Sequence, residues 1–419
     1  MKIVKYLTAL TLLVFVSCSV TRELDKQLDS VDEGNSFFQG VVVAEAESGK
    51  IIINHNGKKY FTPASNVKIF TLYAALSSIK DTIPTFDYSI TNDSLVLRGT
   101  GHPLFLVDSL NEKALSFLNS SEERLYLSDI SIEDRIFGPG WSWEDYSYSY
   151  MPERSIFPMY SNLLSVERKG AEIKVVPELL NEKLNFSGQQ RISRDSESND
   201  FYFPDHGDFK SLIPFKTSLQ LSADMLGEIL NKKVILIPED KGREYNSLKE
   251  IPNDTLYSRM MYESDNFIAE QLLLRIGYET SLKYNSRAAI EYVLKNYLNE
   301  IPQQPRWVDG SGLSRYNLFS PESIVYVLHK LYRETSEDKL SLYFPEGGRS
   351  GTIKNDFPGQ SYIRAKSGTL SNNYSLSGYL TTRKGKVLVF SFMNNHYKGS
   401  SANRKKEMSA FFKHLYEKY

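Results

Sequence analysis

Ser65 and Lys68 have the residue types and the spacing of a nucleophile and its base. On a helix, residues three apart lie on one face, about 5–6 Å apart, so the two side chains can share a hydrogen bond. Serine is a weak nucleophile without a base beside it. Lysine serves as that base only when neutral, a state that burial and a second nearby cation both favour. Taken alone, the pattern is more typical of a capping serine and a solvated lysine.

A second segment, Ser264-Asp265-Asn266, stands at a break between two predicted helices. Side chains at such a break can point into a cleft. Ser264 can relay a proton there, and the amide of Asn266 can bind a peptide carbonyl. An ordinary helix cap is the alternative interpretation of this triplet.

A third segment, Lys366-Ser367-Gly368-Thr369, is predicted to end a strand over residues 362–366. Lys366 supplies the second cation, and Gly368 lets a substrate backbone approach closely. The backbone N–H of Thr369 can face an oxyanion. Alone, this segment is also typical of a plain turn.

The hydrophobic pattern predicts the elements that position these groups. A hairpin over 40–46 and 51–55 precedes a helix over 65–78, and helices return from about residue 250. A helix over 19–35 is also predicted, with Leu24, Leu28 and Val31 on one face. The later helices are predicted at 254–262, 267–276, 281–297, 321–332 and 403–419, and the later strands at 362–366, 375–382 and 387–394.

The middle of the chain consists of short alternating runs separated by turn clusters, which predicts an inserted β-rich domain over 85–245. The catalytic domain then comprises 19–84 and 246–419. In it, one antiparallel sheet is built from both ends of the chain, with helices between. The predicted class is therefore α/β, more narrowly α+β.

The first 18 residues are typical of an export signal. A positively charged start precedes an apolar run over 6–16, which is shorter than the about 20 residues of a membrane-spanning helix. The run leads to Cys18, the one cysteine of the sequence. This arrangement resembles a bacterial lipobox, with Phe15 where Leu is usual, so Cys18 is predicted to be the lipidated first residue of the mature chain. A secretory signal with an incidental cysteine is the alternative.

Composition excludes other classes of function. The chain has 50 basic and 51 acidic side chains, so no basic field is available for nucleic acid. Its six histidines lack metal-ligand spacing, and the mature body lacks cysteine, so neither a metal site nor a disulfide is predicted. No cofactor is predicted.

The three segments occur in the order S-x-x-K, S-D-N, K-S-G, which is the signature of penicillin-interacting serine enzymes. Here the chain resembles the class C low-molecular-mass penicillin-binding proteins, the D-alanyl-D-alanine carboxypeptidase/endopeptidases of the penicillin-binding protein 4 type. The resemblance covers nearly the whole mature chain. Its segments are P-A-S-N-V-K-I-F-T at 63–71, L-R-G-T-G-H-P at 97–103, G-P-G-W at 138–141, W-E-D at 143–145, D-G-S-G-L-S-R at 309–315 and L-S-G-Y at 376–379. His102 and Ser367 stand where the family usually has Asp and Thr.

The resemblance implies the penicillin-binding, β-lactamase-like transpeptidase fold and an exported cell-wall hydrolase that β-lactams inhibit. Its substrate would be peptidoglycan stem peptides ending in D-Ala-D-Ala. The implied catalytic residues are Ser65, Lys68, Ser264 and Lys366, and the implied substrate-binding residues are Asn266, Ser367, Gly368 and Thr369. The hydroxyls of Ser367 and Thr369 would receive the terminal carboxylate. Because the middle region is short for the family, a further nested insertion is expected to be reduced or absent.

Three alternatives to this function have recognisable sequence features. A class A β-lactamase needs an E-x-x-L-N segment after S-D-N, and the nearest match, Glu291–Lys295, lacks the Asn. A G-x-S-x-G hydrolase is not supported, because Gly310-Ser311-Gly312 is a different pattern. A catalytically inactive wall-binding lipoprotein of the same fold stays open, as does the choice between carboxypeptidase and endopeptidase.

Overall fold

The computed structural model describes Leu24, Leu28, residues 36–187 and residues 191–419. The predicted signal region and Cys18 lie outside the described residues. The chain divides into two compact units, the first comprising residues up to Ala74, Tyr257–Asp265 and Leu294–Tyr419, and the second Ala75–Leu256 and Asn266–Val293. The bounds predicted for the inserted domain, 85–245, stay a prediction. In the described part of the chain no helix is long and apolar enough to cross a membrane.

The elements are numbered along the chain from residue 36. The strands are β1 Phe38–Glu45, β2 Ile51–His55, β3 Phe86–Thr91, β4 Ser94–Arg98, β5 Arg124–Asp129, β6 Leu163–Lys169, β7 Glu172–Val176, β8 Leu184–Phe186, β9 Ser193–Arg194, β10 Phe201–Phe203, β11 Phe209–Pro214, β12 Val234–Pro238, β13 Asn246–Leu248, β14 Ile363–Leu370, β15 Asn373–Thr381 and β16 Val387–Asn395. The α-helices are α1 Val67–Ser78, α2 Glu112–Ser120, α3 Leu219–Leu230, α4 Asn253–Tyr262, α5 Asn266–Ser281, α6 Ser286–Asn296, α7 Pro321–Glu334, α8 Glu337–Tyr343 and α9 Ala402–Lys418.

A five-stranded antiparallel sheet in the order β14–β15–β16–β1–β2 forms the centre of the first unit. The first strand of the chain pairs with the last, Phe38 lying opposite Asn395. The prediction of one antiparallel sheet built from both ends of the chain is therefore confirmed.

Helix α9 covers one face of this sheet. Its buried residues Met408 and Phe412 are four apart on one helical face and belong to the same core as Tyr374 and Leu376 of β15. Leu24 and Leu28 of the predicted 19–35 helix are both helical and are buried in that core.

The helix predicted over 65–78 begins with a tighter turn. Ala64–Asn66 form a 3₁₀ turn, and α1 follows directly from Val67. Nearly all of α1 is buried, from Val67 to Ala75, as expected of a helix that is apolar on every side.

The described residues of the second unit form three sheets around their own core, the largest in the order β12–β5–β4–β3–β13. Two helices, α2 and α3, lie in the stretch that the sequence predicts to be β-rich. Helix α2 spans nine residues and buries only Ala114 and Leu118, so its helical periodicity is too short to stand out from alternating strands.

Strand β14 differs from its prediction. The sequence predicts that it ends at Lys366. In the structure it continues to Leu370, so Lys366–Thr369 lie within the strand and each residue is paired with β15. The prediction that these residues follow the strand is therefore wrong, because neighbour pairing outweighs the local cost of Gly368.

Candidate active site

Ser65 and Lys68 meet at the start of α1. The Nζ of Lys68 donates to Ser65 Oγ at 3.0 Å and to the backbone carbonyl of Ser311 at 2.7 Å. The lysine side chain is fully buried. Ala64 holds a left-handed backbone, with φ of 50°, which is uncommon for a residue with a Cβ and turns the chain just before the serine.

The D-G-S-G-L-S-R segment holds this turn in place. Asp309 is buried, and its carboxylate accepts from the N–H of Gly312 at 2.9 Å and of Ser314 at 2.6 Å, and from the Asn317 amide at 2.7 Å. The Gly312 backbone is left-handed, and a Cβ there would lie 1.9 Å from the carbonyl oxygen of Ala64. The segment thus presents a carbonyl to Lys68 while packing directly against the residue before Ser65.

Ser264 connects to the second lysine. Lys366 Nζ donates to Ser264 Oγ at 2.9 Å and to the backbone carbonyl of Ser367 at 2.9 Å. Ser264 follows the end of α4 and has a φ of 59°, a strained conformation for serine that aims its side chain at the lysine.

The two lysines are electrostatically coupled. Burial, and after it the nearby charge of Lys68, lowers the pKa of Lys366 well below its ordinary value. When two buried ammonium groups interact, the charge on each disfavours the charge on the other. The pair therefore favours a state in which one of the two is a free amine.

Alternation along β14 separates its residues into two sets. Lys366 and Gly368 lie on one face of the strand, and Ser367 and Thr369 on the other. On the first face a Cβ at Gly368 would lie 2.5 Å from the carbonyl oxygen of Pro63 and 3.0 Å from the backbone nitrogen of Asn66. What approaches this glycine closely is therefore the turn that carries Ser65. The Asn66 side chain ties the two segments together by donating to the Lys366 carbonyl at 3.2 Å.

The other face of β14 opens into a pocket of about 240 Å³. Ser367 Oγ lies 2.7 Å from the hydroxyl of Thr352, which belongs to the 3₁₀ turn Gly351–Ile353. Hydroxyl side chains dominate the lining, those of Ser65, Ser264, Thr352, Ser367 and Thr369. Such a pocket can place a polar, acylating substrate against Ser65.

Asn266, predicted to bind the peptide, is the first residue of α5 and belongs to the second unit. There its side-chain amide donates to the backbone carbonyl of Tyr150 at 2.8 Å. Of the nine predicted site residues, the structure thus brings seven together within the first unit; Cys18 lies outside the described residues.

Three contributors to the site were not predicted from the sequence: Asn66, Asp309 and Thr352. Asp309 lies in the D-G-S-G-L-S-R segment, but its role depends on a fold around Gly312 that no spacing indicates. Thr352 precedes Ser367 by 15 residues in an unremarkable loop, so nothing in the sequence points to their contact.

A second cavity of the first unit, of about 690 Å³, contains none of the predicted site residues; Tyr362, Arg364 and Tyr379 are among its lining side chains. Among the described residues, no group of three or more His, Cys, Asp and Glu side chains could hold a metal ion.

Known proteins resemble this chain over most of its length. The model of the D-Ala-D-Ala carboxypeptidase 3 (S13) family matches residues 20–175 and 223–415. The D-alanyl-D-alanine carboxypeptidase DacB of Haemophilus influenzae is 25% identical over 438 residues, covering 90% of each chain.

Solved structures share the fold. The crystal structure of penicillin binding protein 4 (dacB) from Haemophilus influenzae has a TM-score of 0.75 at 21% identity, covering 93% of this chain and 99% of its own. The same protein in complex with a novel β-lactam gives 0.71 at 19% identity, with the same coverage. Bd3459, a predatory peptidoglycan endopeptidase from Bdellovibrio bacteriovorus, gives 0.55 at 14%, covering 91% of this chain and 94% of its own.

Proposed function

The chain belongs to the D-Ala-D-Ala carboxypeptidase 3 (S13) family, and we propose that it is a serine peptidase that cleaves D-Ala-D-Ala stem peptides of peptidoglycan through an acyl-enzyme on Ser65. One observation carries the assignment of residues. Ser65 Oγ lies 3.0 Å from the buried Nζ of Lys68, and a second buried lysine, Lys366, is held on Ser264.

Acylation begins with Lys68 as the free amine, the state that its burial favours. The Ser65 hydroxyl then donates to the Nζ lone pair and gives up its proton as Oγ attacks the carbonyl between the two D-alanines. The carbonyl of Ser311, 2.7 Å from Nζ, keeps the amine oriented and stabilises it once protonated.

The remaining groups stabilise the oxyanion, protonate the leaving amine and position the substrate. Backbone N–H groups of Ser65 and Thr369 hold the oxyanion of the tetrahedral intermediate. Ser264, bonded to Lys366, passes a proton to the departing amine of the terminal residue, and the proton that Lys68 took from Ser65 replaces it on Ser264. Strand β14 aligns the peptide, the hydroxyls of Ser367 and Thr369 receive its carboxylate, and water then releases the acyl group.

Labelling with a fluorescent penicillin tests this function and distinguishes it from an inactive wall-binding protein. We expect stoichiometric labelling of the purified wild-type protein, recovery of the label on the peptide containing Ser65, and no labelling of Ser65→Ala. A folded wild-type protein that is not acylated at Ser65 would overturn the enzyme proposal.

Carboxypeptidase and endopeptidase reactions would use the same groups, because each cleaves the peptide bond on the carboxyl side of a D-alanine. Muropeptide analysis after incubation with purified sacculi separates them. Release of free D-alanine alone identifies a carboxypeptidase, and loss of cross-linked dimers identifies an endopeptidase.

We further propose that the chain is exported and is anchored to a membrane by lipid on Cys18, facing the periplasm. The support is the short apolar run before the one cysteine of the sequence. Wild-type protein should partition with detergent and incorporate labelled fatty acid, and Cys18→Ala should do neither. Equal fatty-acid incorporation by both proteins would contradict the anchor.

A further inference from the structure

The pocket beside Ser367 and Thr369 has one charged wall. Its hydroxyl lining is completed by Asp356, Tyr374 and Lys405. Lys405 Nζ lies 2.8 Å from Asp356 Oδ2 and 5.0 Å from the centroid of the Tyr374 ring. The side chains of Lys405 and Asp356 keep 30% and 17% of their exposure, so the ammonium is held in place yet still reaches the pocket.

The fold explains why a lysine of the last helix stands here. Lys405 precedes Met408 by three residues and so lies at the edge of the buried face of α9. That face packs on the sheet side that includes Tyr374. Tyr374 pairs across the strands with Thr369, so both side chains project on this same side, as does that of Ser367.

The positive charge of Lys405 distinguishes it from the other described side chains that line the pocket. Among the described residues that line the pocket, Lys405 is the one positively charged side chain. Lys366 is fully buried and directs its ammonium to Ser264 and to a backbone carbonyl. A carboxylate that enters a pocket loses hydration and needs a charged partner, and neutral hydroxyls alone compensate poorly.

We infer that Lys405 is a specificity-determining residue, which binds the carboxylate at the leaving-group end of the substrate while Asp356 and the ring of Tyr374 hold it in position. This rests on the proposed function, since that function places the carboxylate beside Ser367 and Thr369. An ammonium has three donors, so Lys405 can keep its bond to Asp356 and still donate to the substrate.

The test compares two substrates. One is an N-acyl-D-alanine thioester whose leaving group ends in a carboxylate, and the other is the same thioester with that carboxylate methylated. The proteins are wild type, Lys405→Met, Lys405→Arg, the double variant Asp356→Asn/Lys405→Met, and Lys406→Met as a control at the exposed neighbouring lysine.

Wild type and Lys406→Met should prefer the carboxylate substrate. Lys405→Met should lose about 10- to 100-fold in kcat/KM on that substrate alone, the range for a hydrogen bond to a charged group, and Lys405→Arg should keep most of the preference. The double variant should resemble Lys405→Met, which shows that the loss reflects the missing cation and not an unpaired Asp356.

Three results would overturn the inference alone, provided that wild type forms acyl-Ser65 by mass spectrometry. These are an unchanged preference in Lys405→Met, an equal loss on both substrates, or a preference restored in the double variant. Absence of acyl-Ser65 in the wild-type protein would overturn the proposed function, and this inference with it.

Discussion

Gly368→Ala tests how the nucleophile is positioned. An added Cβ would lie 2.5 Å from the Pro63 carbonyl oxygen, 2.8 Å from Asn66 Nδ2 and 3.0 Å from the Asn66 backbone nitrogen. A relaxed carbon–oxygen contact is about 3.3 Å, so the turn and β14 must separate by about 0.8 Å. Two of the three contacts are backbone atoms, which cannot swing aside as a flexible side chain would.

Gly368→Ala is expected to lower both the rate of Ser65 acylation and the free energy of unfolding. A misplacement of about 1 Å in a catalytic group costs about 100-fold, so acylation of Ser65 should slow on the order of 30- to 100-fold. Overpacking of this kind destabilises by about 1–3 kcal/mol. Because the displaced group is the nucleophile, the loss should be similar for large and small acyl donors.

The assay is the second-order rate of acylation by a fluorescent penicillin, with thermal unfolding followed in parallel. Gly242→Ala is the matched control, since the nearest atom to a Cβ there is 3.4 Å away. If Gly368→Ala is acylated at the wild-type rate with an unchanged melting temperature, the proposed role of this glycine is refuted. A rise in KM confined to large substrates would instead support the sequence interpretation, in which Gly368 makes room for substrate.

Three further predictions concern the groups around Ser65. Lys68→Met should lower acylation by at least about 10³-fold while thermal unfolding stays cooperative, and near-normal turnover would contradict its role as base. Lys366→Met should change how the free energy of unfolding depends on pH. Because the pKa of Lys366 is depressed in the folded protein, the unfolded chain binds a proton that the folded protein lacks. The free energy of unfolding of the wild type should therefore rise relative to that of the variant as pH rises from 7 to 10. A stability difference that does not vary with pH in urea titrations would contradict this. Asp309→Ala should cost about 3–5 kcal/mol by leaving three donors unpaired, and should also slow acylation through Gly312; full activity with unchanged unfolding would argue against it.

Much of the site could be predicted because its parts are local. The three-residue spacing of Ser65 and Lys68 places them on one helical turn whatever surrounds them. The apolar periodicity of α9 and the alternation of β15 and β16 likewise follow from neighbours in the sequence. Helices α2 and α3 were not predicted. Helix α2 is short and buries only Ala114 and Leu118, so its formation depends on the core around it. Helix α3 spans 12 residues and buries four of them, a helical periodicity that the prediction of a β-rich middle overlooks.

Tertiary structure alone decided how these parts meet. Lys366 contacts Ser264 across 102 positions and Asn66 across 300, so their juxtaposition depends on sheet pairing and helix docking that no short window contains. The same docking extends β14 through Gly368 and brings Lys405 of the last helix to the pocket. The sequence by itself determined which residues can do the chemistry, since reactivity belongs to side-chain types and short spacings. The depressed pKa of Lys366 and the charged wall of the pocket exist only in the folded protein, because burial and the proximity of like charges are properties of the packed chain.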